Sequence, residues 1–391
     1  MTEAFVTPHL LQWARERYKL PIAMAAEKLK IKPDKLEDWE KGNERPTFRQ
    51  AQGLAYKLHI PFGYLFLSEP PEEKLPLPDF RTIAGAQAYP PSPGFTDVLS
   101  DVLRKQQWYR EYQESQGAQP LPYIGRFTIS DNPETIAADI RDTLGINDSM
   151  RQESHNWEQF LQEFVRRAES AGILVLRSGI VGNNTHRTLD VEEFRGFAIS
   201  DDLAPVIFIN GQDAKAAQIF TLAHELAHLW IGESGISNPN YKNRSSQQQH
   251  SIDRFCDQAA AETLLPQKDF LFFWQDNKNL NDNLEALATR YRVSEFVVLR
   301  RAYDNNKLSE NDYYFYYRKL ITEHKRGTSK KGGDFYRSLL ARNSSTLTRI
   351  LLVSAAEGRM PQREAAHLLN VKVKSLPEIQ NGILSRGYAN A

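Results

Sequence analysis

The sequence predicts a mostly helical α+β chain, and three observations carry that expectation. Apolar residues recur at three- and four-residue spacings across the first 70 residues and again in several stretches after residue 284. Between 173 and 210 the period shortens to three β-rich runs, Ile173–Leu176, Phe194–Ile199 and Pro205–Asn210, bounded by Gly, Asp and Asn. A helix-forming run, Phe220–Trp230, comes next. The expected layout is an all-α N-terminal part, a short central sheet with one buried helix, and a helical C-terminal part.

Taken in order, amphipathic helices are expected over 8–18, 22–29, 33–41 and 48–58; Leu10, Leu11, Trp13 and Ala14 form the first apolar stripe. Gly42-Asn43 and Arg45-Pro46 break the pattern where a turn is needed. Pro70–Pro78 is Pro-rich and charged, hence a semi-rigid connector, and a second loose stretch covers 88–94. A helix over 96–114, with Val98, Leu99, Val102, Leu103 and Trp108, is expected to pack between domains. Two more follow: 133–144, repeating Ile136, Ile140 and Leu144, and 157–170, repeating Phe160, Leu161, Phe164 and Val165. Beyond the sheet, a helix from 252 ends at Pro266, two short helices with a turn span 284–301, and closing helices cover 347–357 and 362–369. The aromatic run Tyr313–Tyr317 suits a core or interface. Residues 325–349 hold seven Lys+Arg against one acid, with a glycine-rich loop over 327–333 suited to RNA, DNA or an acidic partner.

Within Phe220–Trp230 stands His224-Glu225-x-x-His228. Residues four apart lie on one face of a helix, so both imidazoles can reach one metal ion. Glu225 can face the same ion without ligating it, placed to take a proton from water. Ala223, Leu226, Ala227, Leu229 and Trp230 suit a buried helix, with Gly211 or Asp213 as its start and Gly232 as its stop. A catalytic zinc takes three protein ligands and keeps a position for water, so a third ligand is needed. The helix before Pro266 offers Asp253, Asp257 and Glu262, and His250 lies just upstream. Asp253 and Asp257 share a face, so one can ligate while the other orients a histidine. Cys256 reads as a small buried residue.

Two resemblances sharpen this reading. Ala25-Ala26-x-x-Leu29-x-Ile31-x-Pro33-x-x-Leu36-x-x-Trp39-Glu40-x-Gly42 resembles the λ-repressor-like (Xre-type) helix-turn-helix. That resemblance implies that 33–41 is the recognition helix. Its acids Asp34, Glu37, Asp38 and Glu40 sit awkwardly with DNA, and residues 1–68 are only mildly basic, with 11 Lys+Arg against 8 Asp+Glu. Lys32, Lys35 and Arg45 are the first phosphate contacts to test; the other use of such a unit is dimerisation or partner docking. Further on, Phe194-Arg-Gly-Phe197, Pro205–Asn210, Phe220–His228 and Phe255–Pro266 resemble the ImmA/IrrE family of metallo-endopeptidases over roughly 155–300. The family places an acidic ligand thirteen residues before the terminal proline, which implies Asp253 as the third ligand, beside His224 and His228, with Asp257 behind them. The family prefers Glu and Asn at those two positions, and an Asp reaches about 1.5 Å less than a Glu.

The resulting domain order is a helix-turn-helix unit (1–68), a Pro-rich linker (69–95), a helical connecting region (96–154), a minimal zincin with Zn2+ as cofactor (155–303) and a helical C-terminal region (304–391). The implied activity is zinc-dependent hydrolysis of a peptide bond in one regulatory protein, Glu225 serving as the base. Fusions of this kind also resemble antitoxins that neutralise a toxin, such as a PIN-like nuclease, and autoregulate their operon, with the zinc site regulatory or weakly catalytic. Expected partners are a repressor or toxin as protein substrate, a DNA operator and a second copy of the chain. Lys+Arg and Asp+Glu both total 49, so the chain as a whole makes no electrostatic case for nucleic acid or membrane. A single cysteine excludes an internal disulfide and fits a reducing compartment; with no apolar run of membrane-spanning length and no signal-like start, the cytoplasm is the expected location.

Overall fold

The computed structural model describes residues 2–18, 20–71, 91–237, 247–324 and 334–385. The chain forms two compact units, one of described residues up to 71 and 91–99, the other from Ser100 onward. In the first, α1 (Pro8–Glu16), α2 (Ile22–Leu29), α3 (Pro33–Lys41) and α4 (Phe48–Lys57) precede a 3-10 turn over Phe62–Phe66. Leu11, Ala14, Ala25, Ala26, Leu36, Trp39 and Leu54 meet in its core. Gly42 ends α3 at φ 76, a left-handed cap that glycine adopts without strain. Thr47 and Gln50 start α4 with a reciprocal capping box. Arg15 holds the part-buried Glu40 through two hydrogen bonds of 2.8 Å. Glu40 therefore serves this unit's interior.

The helix α5 (Pro93–Ser115) leads to the second unit, where α6 (Pro133–Leu144), α7 (Asp148–Glu153) and α8 (Trp157–Ser170) come first. Asn132, Asn147 and Asn156 cap these last three through their side-chain oxygens. The strands are β1 (Leu174–Ser178), β2 (Ile180–Val181), β3 (Asn184–Thr188), β4 (Gly196–Ile199), β5 (Val206–Asn210) and β6 (Gly235–Ser237). Four of them form one sheet in the order β1-β5-β4-β6, and β2 pairs with β3 separately. β5 runs parallel to β1 and antiparallel to β4. The return from β4 to β5 is tight because Asp201 Oδ1 accepts from the N–H groups of Leu203 and Ala204. β5 sits between two neighbours and is buried at every residue, which is why Val206-Ile-Phe-Ile is continuously apolar.

Three strands were legible from β-rich runs; the described residues hold six. The hairpin β2–β3 turns at Gly182 (φ 55) and is polar on most of its length, so no alternation marks it. β6 has only three residues.

The helix α9 (Lys215–Trp230) carries His224, Glu225 and His228. It packs against β4 and β5 and against α6, α8 and α10 (Gln247–Leu264). Enclosure by both sheet and helices explains why α9 is buried almost all round. Neither Gly211 nor Asp213 is its N-cap: the capping position is Ala214, with no side-chain cap. The Asp213 side chain is engaged elsewhere, accepting from Ala214 N–H at 2.9 Å and facing Arg195 at 3.4 Å. At the other end Gly232 (φ 73) follows the helix, as expected of a stop, and lies so close to Gly125 that a Cβ would meet its Cα at 3.0 Å.

The remaining helices are α11 (Gln267–Phe273), α12 (Leu280–Tyr291), α13 (Glu295–Asp304), α14 (Glu310–His324), α15 (Phe335–Asn343), α16 (Ser345–Ala356), α17 (Gln362–Leu368) and α18 (Leu376–Ser385). One core joins Ile136, Ile140, Phe160, Ile207, Leu222, Leu226, Leu287 and Val298. The aromatic run on α14 divides by helical phase: Tyr313 is buried, whereas Tyr314 and Phe315 are exposed. α15 packs against β1, and Glu169 at the end of α8 accepts from the N–H groups of Ser345 and Thr346 at the start of α16. Among the described residues no helix is long and apolar enough to cross a membrane. The connector over 72–78 and the glycine-rich loop over 327–333 lie outside the described residues, as does the side chain of His250.

Candidate metal centre

One turn of α9 separates His224 from His228 and brings their Nε2 atoms to 3.2 Å. α10 packs along α9 and presents Asp253 and Asp257, also one turn apart. Asp253 Oδ1 lies 3.6 Å from His228 Nε2 and 3.9 Å from His224 Nε2. Asp257 Oδ1 lies 2.9 Å from Nδ1 of His224. A carboxylate only accepts, so in the neutral ring this bond puts the proton on Nδ1 and leaves the Nε2 lone pair for another partner.

The donor set fits a cation. His224, His228 and Asp253 each offer one ligand atom, and these lie within 4.8 Å of one another. The closest approaches of 3.2, 3.6 and 3.9 Å make a triangle whose centre stands about 2.1 Å from each corner, the length of a zinc–nitrogen or zinc–oxygen bond. Asp253 Oδ1 is shut off from solvent yet accepts no hydrogen bond among the described residues. Such an atom costs several kcal/mol unless a positive group meets it. Two imidazoles and a carboxylate are also the chemistry that borderline-soft zinc selects.

Residues 168–303 match the model of the peptidase M78 family, described as the IrrE N-terminal-like domain. The matched segment is thus similar to metallopeptidase domains, and it contains β1 to β6, α9 and α10 with all four residues just described. No curated protein matches the chain.

The other sequence candidates fall elsewhere. Glu262 sits nine residues beyond Asp253, about 13 Å along α10; it forms a buried ion pair with Arg301 and accepts from Gln267 N–H at 3.0 Å. It closes the end of the helix and does not join the donors. Cys256 is fully buried, and burial with Asp253 and Asp257 nearby pushes its thiol well up, so it remains a neutral packing residue. Glu225 is fully buried beside His224. Exposure among the polar groups is uneven: the side chains of His224 and His228 are 6% and 0% accessible, those of Asp253 and Asp257 26% and 20%. The accessible side of the site is therefore that of α10, although Asp253 Oδ1 itself is covered.

In the first unit, Lys32 caps the start of α3, Lys35 lies one turn into it and Arg45 follows it; all three are exposed. Lys35 Nζ sits 5.8 Å from the Trp39 ring centre and the Arg45 guanidinium 4.2 Å from that of Phe5.

Gly196, in the run Phe194–Phe197, lies beside this site and has no role that local pattern reveals. A Cβ on this residue would meet Thr221 Cγ2 at 2.6 Å, Glu225 Oε1 at 2.8 Å and the Phe208 carbonyl oxygen at 2.9 Å. A lone glycine inside a β-rich run is the signal that a close approach occurs there.

Burial opposes charge on His224, but the Asp257 hydrogen bond and the carboxylates of Asp257, Glu225 and Asp253 outweigh it and raise the imidazole to about 9. Burial lowers His228. For His224 the folded value lies above the unfolded one, so its stabilisation is complete below pH 6.5 and is lost as the pH rises through about 9, on the order of 3 kcal/mol in all. His228 has the opposite sign and costs stability only as the pH falls below 6.5. The metal-free protein is accordingly expected to lose melting temperature between pH 6.5 and 9, and Asp257→Asn to flatten the loss. Calorimetric scans in chelator check this; a loss of the same size in zinc-saturated protein would assign it to other groups.

Proposed function

We propose that the chain is a zinc-dependent metallo-endopeptidase that hydrolyses a peptide bond in a specific regulatory protein. The observation that carries this is the His224–His228–Asp253 triangle, sized for one zinc ion. The match of 168–303 to a peptidase family model supports it. A zinc ion held there would supply the positive charge that acidifies water and polarises the scissile carbonyl. Glu225, next to His224 on α9, takes the proton of the attacking water and returns it to the departing amine. Asp257 holds the His224 ring in its ligating orientation. The substrate adds as an extended strand along β6, which pairs with β4 on one side and has no second strand among the described residues. The opposite edge, β1, is covered by α15.

The test is cleavage of a proteome-derived peptide library, read by mass spectrometry as new N-termini. Zinc-loaded protein should generate them, chelated protein should not, and added zinc should restore them. Chelator-insensitive cleavage, or none at one bound zinc per chain, would remove the reading.

A second role is proposed for the N-terminal unit, in which the exposed Lys32 and Lys35 stand at the start of α3 and the exposed Arg45 follows its end. In this reading it docks the chain on a DNA operator, and the protein acts as the autoregulating partner of its substrate, a repressor or a toxin. Lys32→Glu with Arg45→Glu is expected to weaken binding to DNA upstream of the protein's own coding sequence. The slope of log K against log salt should fall by about 1 per lost contact. An unchanged slope would make the unit a protein-docking or dimerisation module.

A further inference from the structure

We propose that Gly196 is a positioning residue for Glu225: the Cβ it lacks is the slot in which the Glu225 carboxylate lies. This rests on the reading of Glu225 as the base. β4 passes beside α9, and Gly196 is held in the ladder by Ile209 on one side and Ser237 on the other. Its backbone is not left-handed, so conformation does not require glycine there; space does. Three atoms occupy the place of a Cβ, all closer than 3.0 Å. One is the Phe208 carbonyl oxygen, part of the β5 backbone. The other two, Thr221 Cγ2 and Glu225 Oε1, come from α9 positions four apart and so from one helix face. Glu225 is fully buried, and its Oε1 rests against the strand at Gly196. Any side chain at 196 would push it off that rest, and with it the direction in which it faces the donor triangle.

The decisive measurements are made on zinc-loaded full-length protein with two probes: the peptide library for hydrolysis, and acetohydroxamate for binding, since that ligand sheds a proton that a nearby carboxylate must take up. Gly196→Ala/Thr221→Ala removes the methyl clash and leaves the carboxylate clash. It is expected to fold, to bind one zinc, to bind acetohydroxamate about tenfold or more weakly and to lose about 10²-fold in cleavage rate. Glu225→Gln should show the same two losses. A folded, zinc-loaded double variant that matches the parent in both readouts while Glu225→Gln fails would overturn the proposal and leave the role of Glu225 standing. A parent protein indifferent to Glu225→Gln would instead remove the reading beneath it. Should the double variant not fold, Gly196→Ala/Thr221→Ala/Glu225→Asp decides, because it also removes the methyl clash while the shorter acid vacates the slot. Recovery of folding there supports the proposal, and failure there assigns the glycine to sheet packing against Phe208 alone.

Discussion

Glu225→Gln is expected to retain one zinc per chain and to slow peptide hydrolysis by about 10³-fold, the scale of a lost general base. Glutamine matches glutamate in shape, so it fits the slot beside Gly196 and Thr221 without moving α9. It is no ligand in the proposed set, so His224, His228 and Asp253 keep their places. What it lacks is basicity: a carboxamide cannot accept the water proton and pass it on. Metal analysis and the cleavage assay on the same sample test both halves. Zinc lost together with activity would make Glu225 a structural member of the site. Activity kept with zinc in place would move the base to another group and favour a binding role for the chain.

What was legible in the sequence follows from how far apart in the chain the partners lie. His224, Glu225 and His228 are arranged by a single helix, and helical spacing alone sets their mutual geometry. The acidic partner comes from a different helix, and three acids there could have served. The packing of α10 on α9 separates them, bringing Asp253 to the Nε2 atoms and Asp257 to Nδ1 of His224, while Glu262 is carried to Arg301 at the far end of the helix. Amphipathic helices such as α6 and α8 announced their limits through Asn caps and four-residue apolar repeats. The hairpin β2–β3 and the strand β6 did not, because a polar ribbon and a three-residue edge bury too little to leave a periodic trace. The start of α9 was misread for a related reason. Asp213 has the capping chemistry but spends it on its neighbour's N–H and on Arg195, a tertiary contact invisible to local pattern. Gly196 was visible as a letter and silent as a role, since its use depends on what α9 lays across it.

Asp253→Ala should have the largest effect on metal: about 10²–10³-fold weaker zinc binding, if one ligand in four carries a proportionate share of the ~10–16 kcal/mol typical of such sites at neutral pH. Its effect on folding should change sign with the metal. Zinc at about 1,000 times its dissociation constant stabilises the parent by roughly 4 kcal/mol, and the variant should forfeit most of that. In chelator the order reverses. Asp253 stands beside Asp257 and Glu225 around two imidazoles, of which only His224 is raised toward charge, so the metal-free site gathers more negative than positive charge in a buried place. Removing one carboxylate relieves that repulsion and the unsatisfied Oδ1 together, so metal-free Asp253→Ala should melt at or above the metal-free parent. A residue kept for ordinary packing would destabilise both forms alike when truncated. Melting curves of parent and variant, each with zinc and with chelator, therefore separate a ligand from a structural acid. Equal losses in the two conditions would break the triangle, and with it the metal centre on which the peptidase reading stands.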